Sequence, residues 1–334
     1  MYSTQFVPKI QAPICVIFKF LWTFCISSDN MFIKCAFCWY LFTESGGLPH
    51  GLRISACSSP KERNDFMPIC CDFHLHSSFS ADSDATPKSM IEQAIRLGLD
   101  GICFTEHLDL DCPPEGPDFA LDLDTYFPEI ARLKQAYRVQ IRIGTGIEFG
   151  MQQPHAAYFQ QLVKDHPFDF VIGSVHFIDG KDPYYPSFFE GKSEEEAYAN
   201  YFREMRALLD LYSDFDTLGH LDYIVRYGPN QNRFYSYARY ADVIDPVLRH
   251  LISHGKCLEV NSAGLKYGLG ETNPALDVLR RYRELGGELL TIGSDAHAPE
   301  HIAYDFPVVL TMLRELGFRY YTVFSERNAE MLRL

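Results

Sequence analysis

Ile69-Cys-Cys-Asp-Phe-His-Leu-His76 opens the rhythmic part of the chain. It opens as a short apolar run and closes on two histidines, the pattern of a buried strand whose end turns polar. Alternate residues of a strand project from one face about 6.6 Å apart, so the rings of His74 and His76 can reach a single ion. Further β-branched or aromatic runs lie near 101–105, 141–148, 168–175, 215–219, 257–260, 288–293 and 319–324. Amphipathic helical stretches fall between them, near 87–97, 124–137, 154–164, 194–212, 239–254, 274–285 and 301–316. Strand-then-helix repetition implies an α/β fold with parallel strands and right-handed crossovers. About seven repeats favour a closed TIM-like barrel over an open doubly wound sheet.

Residues able to bind metal recur at the C-terminal ends of these strands. His74 and His76 close the first, Glu106-His107 the second, Glu148 the third, His176 the fourth, His220 and Asp222 the fifth, and Asp295 and His297 the seventh. In a β/α barrel those ends converge on one rim. A lone histidine at a strand end is ordinarily hydrogen-bonded or solvent-facing, but several strand ends sharing the pattern point to a metal centre. His50 lies upstream, and His155, His166, His250, His254 and His301 fall in helices or at their ends, where they read as surface or capping residues.

The expected ligand set is His74, His76, Asp82, His107, Glu148, His176, His220, Asp295 and His297. With about four protein ligands per ion and one bridging carboxylate, it accommodates two or three divalent ions and leaves positions for water and substrate. Imidazole mixed with carboxylate suits zinc, manganese or iron better than calcium or magnesium. A Ser/His/Asp triad is the competing chemistry, because Ser174 and Ser294 neighbour histidines of the set. Gly173-Ser-Val175 lacks the G-x-S-x-G elbow, however, and no Gly-rich phosphate loop is present, so water activated by metal is the expected nucleophile.

The whole chain has 334 residues, 47% hydrophobic and 22% charged, enough for one large domain. A net charge of -14 argues against a nucleic-acid partner. Five of the ten cysteines (Cys15, Cys25, Cys35, Cys38 and Cys57) crowd the start and the rest are scattered, which fits a reduced cytoplasmic protein better than a disulfide framework. Cys35-Ala-Phe-Cys38 has zinc-knuckle spacing without a second pair nearby. Residues 1–66 lack clean periodicity and read as an irregular N-terminal extension, with the functional unit spanning 67–334. The apolar run from Ala12 to Ile26 is broken by Lys19 and falls short of the ~20 residues that span a bilayer, so no membrane partner is expected. Oligomeric state is not readable.

Asp72-Phe-His-Leu-His76, Thr105-Glu-His107, Gly146-Ile-Glu148, Gly173-Ser-Val-His176, Gly219-His220 and Ser294-Asp-Ala-His297 occur in the order of the PHP superfamily. Within it the chain resembles the monofunctional histidinol-phosphate phosphatases, from about Met67 to Leu334. Asp82, Gly219-His-Leu-Asp-Tyr223 and Glu259-Val-Asn-Ser-Ala-Gly264 are similar to that branch. The resemblance implies a distorted (β/α)7 barrel with a trinuclear metal centre that hydrolyses L-histidinol phosphate in histidine biosynthesis. It implies one ion on His74, His76, Glu148 and Asp295, a second on Glu148, His176 and His220, and a third on Asp82, His107 and His297.

Arg226, six residues beyond His220, is the candidate for phosphate binding, because a guanidinium fork engages two oxygens at once. Lys266 is a weaker candidate of the same kind. Glu106 and Asp222 are the candidate general acids for the leaving group. Substrate imidazole is expected against Phe177, Tyr223 or Tyr227, and its ammonium near Asp109 or Asp111. Two alternatives stand beside this reading: a PHP phosphoesterase for another small phosphomonoester, and a non-catalytic metal-binding regulatory module.

Overall fold

The computed structural model describes residues 68–334 and the short strand β1 (Arg53–Ile54). The expected extension boundary at 66, His50, the Cys35–Cys38 pair and the apolar run from Ala12 all lie outside the described residues.

Seven parallel strands form one sheet: β2 (Cys71–Leu75), β3 (Gly101–Leu108), β4 (Arg142–Gly150), β5 (Phe170–Ser174), β6 (Thr217–Leu218), β7 (Cys257–Asn261) and β8 (Leu290–Gly293). They pair in sequence order. The sheet curls until its edges meet, where His76 N donates to Ala296 O at 2.9 Å and Ala296 N to His74 O at 3.4 Å. This is the expected barrel. Between strands run α1 (Pro87–Leu97), α2 (Leu123–Tyr137), α3 (Ala156–Asp165), α4 (Glu194–Leu209), α5 (Tyr237–Ser253), α6 (Ala263–Lys266) and α7 (Leu276–Glu284), followed by α8 (Phe306–Glu315).

Local chemistry sets several of these limits. Thr86 caps α1 by accepting from Ser89 N, Pro87 opens it, and Gly98 in the left-handed region at φ +79 ends it. Ser193 and Glu196 form a capping box at the start of α4. The strands β2, β5, β7 and β8 are buried along their whole length, which explains their continuous apolar runs. Across α2 and the sheet, Tyr126 is fully buried and its hydroxyl donates to Gly146 O at 2.9 Å. No described helix is long and apolar enough to cross a membrane.

The eighth strand-like run is not part of the barrel. It forms β9 (Tyr320–Ser325), which pairs antiparallel with β10 (Asn328–Arg333), and β10 in turn pairs parallel with β1.

Candidate metal centre

Strand register does the first positioning. His107 on β3 sits opposite Glu148 on β4, and His74 on the adjacent β2, with His76 just past its end, reaches the same rim. Glu148, fully buried, is the hub. Its Oε2 lies 3.0 Å from His74 Nε2, 3.4 Å from His76 Nε2 and 3.2 Å from His107 Nδ1. Its Oε1 lies 3.2 Å from His176 Nε2 and 2.9 Å from His220 Nε2, and accepts from Ser174 Oγ at 2.6 Å. Asp295 Oδ1 stands 3.7 Å from His74 and 3.6 Å from His76, and Asp82 Oδ2 stands 3.0 Å from His297 Nε2 and 3.7 Å from His107 Nε2. The structure therefore brings all nine expected ligands to one place.

Ring orientation is fixed from behind. His74 Nδ1 meets Glu259 Oε1 at 2.5 Å, His176 Nδ1 meets Asp109 Oδ1 at 2.9 Å, and His76 Nδ1 meets Ser80 Oγ at 3.1 Å. A ring held through Nδ1 turns its Nε2 lone pair toward the centre. Among the described residues, His76 Nε2, His107 Nδ1 and His220 Nδ1 are buried without a hydrogen-bond partner, as is Asp109 Oδ2. Buried polar atoms without partners are costly, and a cation would satisfy the nitrogens that lie in these clusters. Donor atoms of His74, Glu148 and His220, of His74, His76 and Asp295, of His76, His107 and His297, and of His107, Asp109 and His176 each lie within 4.8 Å of one another. The residues present thus fit a multinuclear divalent centre.

Protonation follows from the same packing. Burial alone would raise the Glu148 carboxyl, but His74, His176 and His107 outweigh it and hold Glu148 well below the usual carboxylate range. Burial likewise opposes His74, yet Glu148, Glu259 and Asp295 hold that ring well above its ordinary value. Burial, reinforced by the neighbouring His107 and His297, pulls His76 well down.

A cavity of about 490 Å³ opens over this cluster. Arg226 lines it, with Nε donating to Asn273 at 2.8 Å, Nη1 to Asp295 at 2.9 Å and Nη2 to Asn261 at 2.9 Å. Lys266 lines it too. Glu106 and Asp222 do not. Glu106 is fully buried and accepts from Ser77 N at 2.9 Å and Ser80 Oγ at 2.7 Å, so it steadies the serine that orients His76. Asp222 accepts from Asn273 Nδ2 at 2.6 Å and Ala275 N at 2.8 Å, so it steadies the amide that holds Arg226. Burial pushes the Asp222 carboxyl up to about 6.

The PHP domain description matches residues 72–263. A histidinol-phosphatase of Lactococcus lactis is 35% identical over 255 residues, covering 76% of this chain and 94% of that one. This chain belongs to the PHP-domain histidinol-phosphatases. A probable histidinol-phosphatase of Clostridium acetobutylicum is 34% identical over 260 residues, covering 77% of this chain and 97% of its own. The crystal structure of the Lactococcus lactis histidinol phosphate phosphatase, complexed with zinc, L-histidinol and phosphate, superposes with a TM-score of 0.73 at 34% identity, covering 78% of this chain and 98% of that one.

In this histidinol-phosphatase family member, several side-chain contacts at the site are not legible in the motifs. His301 lines the cavity from the short turn Pro299–His301, although its position near a helix start read as capping. Asp72 ties the barrel seam: it accepts from Ser294 N at 2.9 Å, Ser294 Oγ at 2.5 Å and Ala303 N at 2.9 Å. Glu259 and Asp109 orient rings from behind, a role that no spacing rule marks because the partners lie 185 and 67 residues away in the chain. Asp111 is paired with His155 at 2.9 Å and is absent from the cavity lining.

Proposed function

We propose that this chain hydrolyses L-histidinol phosphate to L-histidinol and inorganic phosphate, a step of L-histidine biosynthesis, in the cytoplasm. One observation carries the reading: a single buried carboxylate, Glu148, contacts five imidazoles, and three of these, His107, His176 and His220, line a cavity that also presents Arg226.

His74, His76, Glu148 and Asp295 would hold one divalent ion, Glu148, His176 and His220 a second, and Asp82, His107 and His297 a third, with zinc, manganese or iron all suited to the donors. When bound, such ions supply Lewis acidity to the phosphoryl oxygens and make water nucleophilic near neutral pH. The chain's own residues bind and orient. Three N–H groups of Arg226 are spent on Asn273, Asp295 and Asn261, which leaves one hydrogen on each terminal nitrogen for phosphate oxygens. Lys266 adds positive charge beside it. Phe177, Tyr223 and Tyr227 line the cavity and offer faces for the imidazole of the substrate. Glu106 and Asp222 act as braces for His76 and Arg226 rather than as proton donors.

Phosphate release from L-histidinol phosphate, set against a panel of sugar phosphates and mononucleotides, tests the reading. A clear preference in kcat/KM for L-histidinol phosphate supports it, and equal rates across the panel defeat it.

A further inference from the structure

Among the described residues, four carboxylates line the cavity: Asp82, Asp109, Asp182 and Asp295. Three of them serve bases. Asp82 meets His297 at 3.0 Å, Asp109 meets His176 at 2.9 Å, and Asp295 accepts from Arg226 at 2.9 Å. Asp182 differs. Among the described residues its carboxylate accepts one hydrogen bond, from Tyr184 N to Oδ1 at 2.8 Å, and forms no ion pair. Asp182 thus lines the cavity with one carboxylate oxygen that takes no hydrogen bond or ion pair from the described residues.

The loop that carries Asp182 is built to hold it there. Ile178 and Lys181 exchange backbone hydrogen bonds of 2.9 and 3.0 Å around Asp179-Gly180, whose φ values of +53 and +68 fit a tight two-residue hairpin turn. Beyond it, Asp182 O accepts from Tyr185 N at 3.1 Å, and the Tyr185 hydroxyl donates to Glu115 O at 2.9 Å. Tyr184 packs edge-on against Tyr227 at 5.4 Å, and Tyr227 against Tyr223 at 5.0 Å, so the loop is keyed into the aromatic wall. Burial pushes the Asp182 carboxyl up to about 6, against the Tyr184 N–H and the nearby His176, which pull it down.

We propose that Asp182 is the specificity residue that receives the ammonium group of the substrate; this rests on the proposed reading that the substrate is an aminoalkyl phosphate. The other acids stand differently: Asp109 meets His176 through Oδ1 at 2.9 Å and sets its Oδ2 3.9 Å from His107 Nδ1, within the histidine cluster, and Asp111 pairs with His155 and is absent from the cavity lining. A substrate whose phosphate lies at Arg226 and the histidine cluster, and whose ring lies on the tyrosines, meets Asp182 with its remaining charge.

The test compares L-histidinol phosphate with its deamino analogue, 3-(imidazol-4-yl)propyl phosphate, on the metal-loaded wild type and on Asp182→Asn. Asparagine keeps the oxygen that receives the Tyr184 N–H and removes the charge. Losing one partner of a desolvated charge pair should raise KM for L-histidinol phosphate by roughly 30-fold and leave kcat within about twofold. The kcat/KM of the deamino analogue should move by less than about twofold, and Asp182→Glu should recover part of the loss on the amino ester. Calorimetric titration with L-histidinol should show the same drop in affinity without turnover. Equal losses on both esters, or no loss on either, overturn the proposal. So does a wild type that discriminates between the two esters by less than about threefold, a result that needs no variant. Should the wild type prefer some other phosphomonoester, the functional reading fails on its own. Asp182 is then judged on phosphoethanolamine against ethyl phosphate, with the same outcomes supporting or overturning its role.

Discussion

Gly293→Ala puts the barrel seam to the test. Gly293 ends β8, and a Cβ built on it would lie 2.2 Å from His74 Cβ and 2.8 Å from Glu259 Oε1. Carbon atoms rest at about 3.5–4.0 Å, so the two strands must part by roughly 1.3 Å. They are not free to do so, because Asp72 on β2 is bonded to both the backbone and the hydroxyl of Ser294 at 2.9 and 2.5 Å. Strain falls on His74, which is held between Glu148 at 3.0 Å and Glu259 at 2.5 Å. Overpacking of this kind costs about 1–3 kcal/mol, which for a domain of this size lowers Tm by roughly 2–10 °C. Displacing a ring of the centre by about 1 Å should lower kcat/KM on the order of 100-fold. Scanning calorimetry and a phosphate-release assay on metal-loaded protein read the two effects. Gly173→Ala is the control, because its Cβ meets Phe215 at 3.3 Å and Met151 Sδ at 3.4 Å and needs a shift of only tenths of an ångström. A Gly293→Ala protein that melts with the wild type and keeps its activity would refute the reasoning about the seam.

Arg226→Lys keeps the charge but cannot reproduce the flat fork that serves Asn273, Asp295 and Asn261. It should lose about 100-fold in kcat/KM and about 1–3 kcal/mol of stability, measured by phosphate release and urea unfolding, and wild-type values in both would remove the assigned role. Asp245 should make a pH-dependent contribution to stability. Hydrogen bonds from Arg281 at 2.9 and 2.8 Å, aided by Tyr237, hold its carboxyl at about 2. On acidification the unfolded chain therefore takes up that proton first, near about 3.9, so the contribution is full above about pH 4 and lost as pH falls through about 2. The stability gap between wild type and Asp245→Asn should narrow as urea melts are moved from about pH 6 to about pH 3, and a constant gap contradicts the assignment.

Much of the site was legible because the barrel converts strand-end position into proximity. His74, Glu148, His220 and Asp295 are far apart in sequence, yet each follows or ends an apolar run, and that alone aims them at one rim. The hairpin of β9 and β10 was not legible. Its turn, Glu326-Arg327, adopts φ +49 and +62 without the Asn-Gly pair that usually announces such a turn, and Asn328–Arg333 carries charges that mask a strand. The expected helix 301–316 begins only at Phe306, because Asp305 sits at φ +50 before it and Pro299–His301 forms a separate turn. The strand expected near 215–219 shrinks to Thr217–Leu218. Glu106, Asp222, Asp109 and Glu259 were visible as residues but their hydrogen-bond partners were not, since a carboxylate that holds a ligand and one that transfers a proton share the same local sequence signature.

Elemental analysis of the purified wild type beside Glu148→Gln addresses the central claim, that one carboxylate gathers these imidazoles into a multinuclear site. Two or three divalent ions per wild-type chain are expected, with phosphate release that stops on chelation and returns with zinc, manganese or iron, and at most one retained ion in Glu148→Gln. A wild type that hydrolyses L-histidinol phosphate at full rate with its metal stripped, or a Glu148→Gln protein holding the full complement, would contradict it.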